Sequence, residues 1–137
     1  MPSDMPEGFF ILDPDDPFEM KTGPFYARDL GEERTYAFRM DADHRNAGGV
    51  IHGGALMTFA DFAICAEAVR SFPEEAPLTI SFTSEFLAPV HEGALIESRP
   101  EILRRTNSFV FMRATLEVDG QPVLSCTGVI KRLNLNR

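Results

Sequence analysis

The chain has 137 residues, 44% of them apolar, with twelve phenylalanines, no tryptophan and a formal charge of −8. That length suits a single domain burying about two-thirds of its unfolded surface. The acidic balance argues against nucleic acid as a partner, and no run of about 18 apolar residues is present to cross a membrane.

In chain order, residues 1–24 carry five prolines (Pro2, Pro6, Pro14, Pro17 and Pro24) among many acids, the reverse of a targeting signal. Residues 1–30 therefore read as an acidic, Pro-rich arm lying on the surface, with room for a short helical turn. Residues 33–40 have strand character, with Tyr36, Phe38 and Met40 on one face. Residues 53–72 read as one helix ended by Pro73. Four strand-like runs follow, at 78–90, 94–105, 107–119 and 122–133. Asp119-Gly120 marks a hairpin between the last two, because a type I′ turn needs positive φ at both central residues. Pro100 places the second run at an edge or at a bulge.

The helix has only Thr58, Asp61, Glu67, Arg70 and Ser71 as polar members, and its first four turns are apolar on every azimuth apart from Thr58 and Asp61. Such a helix is surrounded by protein. A curved antiparallel sheet wrapped around it meets that need, and so does a second chain packed against it. The fold class is α+β, one long central helix with an antiparallel β-sheet, in a single domain without internal repeats. Cys65 and Cys126 sit in apolar contexts as free thiols, which fits a reducing, cytoplasmic setting.

The chemistry concentrates around the helix start. The segment N-x-x-G-x-x-H-G-G spans Asn46 to Gly54. Asp61 follows, and then a strand T-x-x-F-T/S-x-x-F-L-x-P-V from Thr79 to Val90. Together these resemble the hotdog-fold acyl-CoA thioesterases, and among them the phenylacetic-acid-degradation (PaaI-type) branch, with the likeness covering residues 36–133. The resemblance implies hydrolysis of a medium-chain or aryl acyl-CoA to free acid and CoA. It implies no metal and no cofactor, since coenzyme A is part of the substrate. It places the Gly53 N–H on the thioester carbonyl oxygen and makes Asp61 the general base or nucleophile. Asn46 would orient the carbonyl or the water, His52 would support by hydrogen bonding, and Thr79 would stand near the attacking water.

Physical chemistry agrees with those roles. A helix N-terminus offers unpaired N–H donors and the positive end of a dipole to a developing oxyanion, and glycine allows close approach. Gly53 and Asp61 are eight residues apart, roughly 12 Å along a helix axis. One aspartate side chain cannot span that, so both act on one thioester only if Asp61 comes from a second protomer with its helix antiparallel. This calls for a homodimer with composite sites, and the resemblance adds tetramers built from such dimers. Gly54, Met57, Phe62 and Phe82 (or Phe86) are the candidate pocket residues. The charge is −7 over residues 1–44, −5 over 45–98 and +4 over 99–137. Arg104 and Arg105, near Lys131 and Arg132 in that cationic third, are the candidates for the nucleotide phosphates of CoA.

Other chemistries fit less well. Hotdog hydratases resemble D-x-N-P-x-H, whereas Asp43 and His52 are nine apart here and Asn46 is followed by Ala47. His44, His52 and His91 show no metal-ligand spacing, and no G-x-S-x-G is present. Cys65 lies one turn beyond Asp61 without a histidine to activate it. A non-catalytic acyl-CoA-binding protein on the same fold is the alternative from another class. It would have no need of Asp61 together with Asn46.

Overall fold

The apolar helix and the strands that follow it form in the computed structural model, which describes residues 5–136. In chain order the elements are β1 (Phe10–Ile11), α1 (Pro17–Thr22), β2 (Tyr26–Leu30), β3 (Glu33–Arg39), a 3-10 turn (Ala42–His44) and α2 (Gly53–Ala68). Then come β4 (Glu75–Phe86), β5 (Leu95–Ser98), β6 (Glu101–Arg105), β7 (Phe109–Val118) and β8 (Gln121–Asn134). The strands make one curved antiparallel sheet in the order β1-β2-β3-β5-β7-β8-β4, with β6 also paired to β7.

α2 lies against this sheet through Leu56, Phe59, Ala60, Phe62, Ala63 and Ile64, all buried. Each large side chain there stabilises the fold by roughly 1.5–3 kcal/mol. The approach is close: a Cβ added to Gly128 on β8 would stand 2.5 Å from Ile64 Cδ1. A bulkier residue at 128 would force the Ile64 side chain to move. Tyr36 and Phe38 on β3 and Met40 just after it face this core as their spacing predicts. Ala37 packs on the opposite side with Phe9 and Tyr26.

The hairpin expectation holds, with φ of 51° at Asp119 and 79° at Gly120 between paired Val118 and Gln121. Pro100 does interrupt a strand. The run expected at 94–105 is split into β5 and β6 around Arg99 and Pro100, both halves pairing with β7. Two boundaries differ from the sequence reading. The helix stops at Ala68 rather than near residue 72, where Arg105 Nη2 donates to the Ala68 carbonyl at 2.6 Å. β4 starts at Glu75 and includes Pro77, which is tolerated because β4 is the outermost strand of the sheet.

The N-terminal arm is the larger correction. Pro2 lies outside the described residues, but from Met5 onward the segment is not merely laid on the surface. β1 and β2 extend the sheet beyond β3, and Phe9, Phe25, Tyr26 and Ala27 are buried. Phe25 meets Phe38 and Phe59 edge-on, each at 5.4 Å between ring centroids. Its Phe-Tyr-Ala run carries strand and core signal that the surrounding prolines and acids obscured. The expected helical turn is α1, with Asp16 as N-cap accepting from Glu19 N–H at 2.9 Å and Pro17 in the first turn. Among the described residues no helix is long and apolar enough to cross a membrane. Cys65 and Cys126 are free thiols, pushed by burial up to about 12 and about 11.

Candidate active site

The loop before α2 is built to present the helix start. Asn46 Oδ1 accepts the N–H groups of Gly48 at 2.8 Å and Val50 at 3.3 Å, and Asn46 N–H donates to the Val50 carbonyl at 2.7 Å. This is the local side-chain-to-backbone bonding that short amides favour in turns. The Asn46 side-chain oxygen is thus committed to its own loop. Buried His44 anchors that loop from below. Its Nδ1 accepts from Asp41 N–H at 2.9 Å, its Nε2 bonds the Thr22 carbonyl, and its own carbonyl accepts from His52 N–H at 2.7 Å.

His52 caps α2. Its Nδ1 accepts the Gly54 N–H at 3.0 Å, which places the ring proton on Nε2, and its carbonyl accepts the Ala55 N–H at 2.9 Å. The Gly53 N–H is left without an acceptor among the described residues. It sits at the positive end of the helix dipole, where a developing negative charge is stabilised. Beside it opens an apolar cleft of about 450 Å³ lined by Ile51, Leu56, Phe86, Leu87 and Pro89. A Cβ on Gly53 would stand 3.1 Å from the Phe86 ring, so glycine lets that ring close over the helix start.

Two turns further on, Asp61 stands half-buried with its own partners. Thr79 Oγ1 donates to Asp61 Oδ1 at 2.6 Å. Cys65 Sγ lies 3.2 Å from Thr79 Oγ1 and 3.8 Å from Asp61 Oδ1. With the threonine proton on the carboxylate, the Cys65 S–H is the donor to Thr79. Its raised pKa keeps that proton in place at neutral pH, so Cys65 is a hydrogen-bonding neighbour rather than a nucleophile. Asp61 Oδ2 has no protein partner among the described residues, which leaves it open to a water or a substrate.

The cavity over Asp61 measures about 740 Å³. Phe62 and Ala66 of α2, Val69 just after it, and Pro77, Leu78 and Thr79 of β4 form one side, and Leu12, Asp13, Asp16 and Glu19 line the other. Burial, and then the neighbouring Asp16 and Asp13, raise Glu19 from 4.5 to about 7. The carboxylates of Asp13, Asp16 and Glu19 lie within 4.8 Å of one another, the one group among the described residues with a spacing a cation could span. Arg34 also reaches the cavity, but its guanidinium is bound to Asp29 at 2.7 and 2.9 Å.

The remaining sequence candidates scatter. Gly54 and Met57 lie on the stripe of α2 that the sheet does not cover. Phe62 joins the core aromatics, 4.8 Å from Phe25, while touching the Asp61 cavity. Phe82 is half-buried on β4 against the core. Arg104 is exposed on β6. Arg105 is committed to the Ala68 carbonyl and stacks over Phe72 at 4.4 Å, beside Arg132, which is paired with Glu75 at 2.6 Å. The structure therefore brings together Asp61 and Thr79 at one place and His52, Gly53 and Gly54 at another. The two clefts share no lining residue. The sequence reading missed Asp13, Asp16 and Glu19 as cavity residues. Their one local signal was the Asp16-Pro17 helix start. Cys65 was read as a buried free thiol and weighed as a nucleophile, not as a partner of Asp61, although its spacing of four from Asp61 puts it on the same helix face.

Comparison with known proteins gives this arrangement its context. Residues 48–125 match the family described as the thioesterase superfamily. The Pseudomonas aeruginosa protein named "Putative esterase PA0474" is 31% identical over 127 residues, covering 91% of this chain and 95% of its own length. Among solved structures, a mutant of the phenylacetic acid degradation protein PaaI from Thermus thermophilus superposes with a TM-score of 0.76. It is 27% identical and covers 86% of this chain and 100% of that one. A hypothetical thioesterase from Streptococcus pneumoniae, crystallised with coenzyme A, shares the fold at a TM-score of 0.72. It is 15% identical and covers 80% of this chain and 86% of that one.

Proposed function

The chain belongs to the thioesterase superfamily and is a thioester hydrolase with the hotdog fold, and from that premise we propose that it hydrolyses medium-chain or aryl acyl-CoA in composite sites shared by two protomers. The observation that carries the reading is the unengaged Gly53 N–H at the start of α2, with a half-free carboxylate, Asp61, eight residues along the same helix. Roughly 12 Å of helix separates them, and they open into different clefts. Antiparallel pairing of two α2 helices would bring the Gly53 of one protomer to the Asp61 of its partner. Two features support such pairing. The α2 stripe of Gly54, Met57 and Thr58 is not covered by the sheet and leads towards Asp61, and β4 ends the sheet with Leu78, Ile80 and Phe86 exposed.

In this site the carbonyl oxygen of the thioester accepts from Gly53 N–H, whose dipole environment favours the oxyanion of the tetrahedral intermediate. Asp61 Oδ2 takes the proton of an attacking water, or attacks the carbonyl itself to form, once the thiolate leaves, a mixed anhydride that water then hydrolyses to the free acid. Oδ1 is held by Thr79, which fixes the carboxylate plane. The CoA thiolate leaves and gains a proton. Asn46 acts indirectly, by holding the loop that positions His52 and Gly53. His52 removes the competing Gly54 donor and leaves Gly53 the open one. The reading calls on no metal, because the helix terminus supplies the polarising charge. Arg104, the exposed arginine of the basic cluster, is the residue proposed to meet the CoA phosphates, as Arg105 is engaged within the fold. The coenzyme A bound to the Streptococcus pneumoniae relative supports a CoA ester as the substrate.

The test is release of free CoA thiol from a panel of straight-chain and aryl acyl-CoAs. Turnover of medium-chain or aryl members is expected. Binding of the panel without thiol release would replace the hydrolase reading by a binding protein.

A further inference from the structure

We infer that Glu19, on the N-terminal segment, is a specificity-determining residue that sets the charge of the acyl group the enzyme accepts, favouring neutral chains over chains ending in a carboxylate. The inference rests on the reading that the thioester reacts at Asp61, and adds to it a role for a segment outside the motif that marks the family.

The cavity over Asp61 has two unlike sides. α2 and β4 give it an apolar floor, suited to a hydrocarbon chain. The side facing that floor carries Asp13, Asp16 and Glu19. Each titratable or charged group lining this space bears on the outcome. Asp61 and the three acids of the N-terminal side put four carboxyl groups around the space. Cys65 keeps its proton. Among the described residues Arg34 is the one cation lining the cavity, and its two bonds to Asp29 offset its charge. A carboxylate at the end of an acyl chain would enter a cavity rich in acidic groups with no free cation among the described residues to meet it. In a partly dry cavity such like-charge contact is costly. Glu19 feels Asp16, Asp13 and also Asp61, which places it in the same field as the reacting centre. Asp16 is tied to α1 as its N-cap and Asp13 is exposed, so Glu19, half-buried in the cavity side and hydrogen-bonded to Asp16, is the acid placed to set the response.

The experiment compares kcat/KM for hexanoyl-CoA and glutaryl-CoA, chains of similar length that differ in the terminal charge, at pH 8. It uses the full-length wild type, Glu19→Gln and Glu19→Lys. The wild type is expected to prefer hexanoyl-CoA. That preference should shrink by about tenfold in Glu19→Gln, and further in Glu19→Lys, with circular dichroism and oligomeric state as checks on the fold. A wild type that hydrolyses both esters equally would overturn the inference. So would a preference that both folded variants retain unchanged. If hexanoyl-CoA and the wider panel give no thiol at all, it is the thioesterase reading at Asp61 that fails, a result separable from either.

Discussion

The two ends of the proposed chemistry are built in opposite ways. At the start of α2 the working group is a backbone N–H, freed by a histidine cap that occupies its neighbour and approached through an open apolar cleft. At Asp61 the working group is a side chain, held by Thr79 and bordered by a cavity that the N-terminal segment closes with acids. The first end depends on local geometry, which a short motif can encode. The second depends on elements far apart in sequence, with contributions from residues 12–19, 61–69 and 77–79. The helix-start motif can therefore be kept while the Asp61 cavity is reshaped. The two ends should accordingly control different things, the oxyanion at one and the acyl group at the other.

The sharpest way to break that division is to disable each end in turn. Asp61→Asn keeps the size of the side chain and removes its basicity, and kcat is expected to fall by about 10²–10⁴. Gly53→Pro deletes the open N–H while leaving a residue that helices accept in their first turn. His52 already has an extended backbone that suits a following proline. The expected loss is about 10²–10³ in kcat. The new ring must displace the exposed Phe86, so the variant's melting temperature is measured alongside. Mixing the two inactive variants and allowing subunits to exchange should restore roughly a quarter of the wild-type rate, since half of the dimers would carry one intact composite site. No recovery after demonstrated exchange would mean that Gly53 and Asp61 do not meet across a dimer.

The central helix, the strand order along the chain after it, the Asp119-Gly120 turn and the break at Pro100 were all legible because each rests on a local rule of periodicity or turn chemistry. The helix end was not. It stops at Ala68 because Arg105, thirty-seven residues away, takes the last carbonyl, and nothing near residue 68 announces that partner. The same distance effect hid the purpose of Arg105, which reads in sequence as one member of a basic pair. Asp61 and Gly53 were readable as candidates through the motif, and their separation through the helix rise. The acidic cavity side was not readable, because prolines and aspartates in residues 13–17 signal a surface loop as readily as one that folds back over a cavity.

Arg105 gives the intermediate effect, on stability rather than rate. Arg105→Ala removes the bond to the Ala68 carbonyl and the stacking on Phe72, leaving the end of α2 without that cap. Together these contribute about 2 kcal/mol, so the melting temperature should drop by several degrees. Arg104→Ala, which removes an exposed charge, should leave the melting temperature within error. If the proposed phosphate contact is made, it raises KM for acyl-CoA. Equal stability losses for the two variants would contradict the division between a structural and a solvent-facing arginine.

The smallest expected effect tests the other end of the comparison through pH. Glu19 ionises near 4.5 in the unfolded chain and near 7 in the fold. Between those values the folded state holds a proton that the unfolded state has lost, so this residue makes stability fall as pH rises from about 4.5 to about 7, with the full cost present above that. Solvent around a half-exposed carboxylate screens much of the shift, leaving about 1 kcal/mol. Glu19→Gln keeps a donor for Asp16 and has no proton to lose. Its melting temperature should match that of the wild type at pH 4 and exceed it by about 3–4 °C at pH 8. A difference that is the same at both pH values would mean that Glu19 does not share the field of Asp13, Asp16 and Asp61. The charge argument for the acyl cavity would then lose its physical basis, whatever the substrate panel reports.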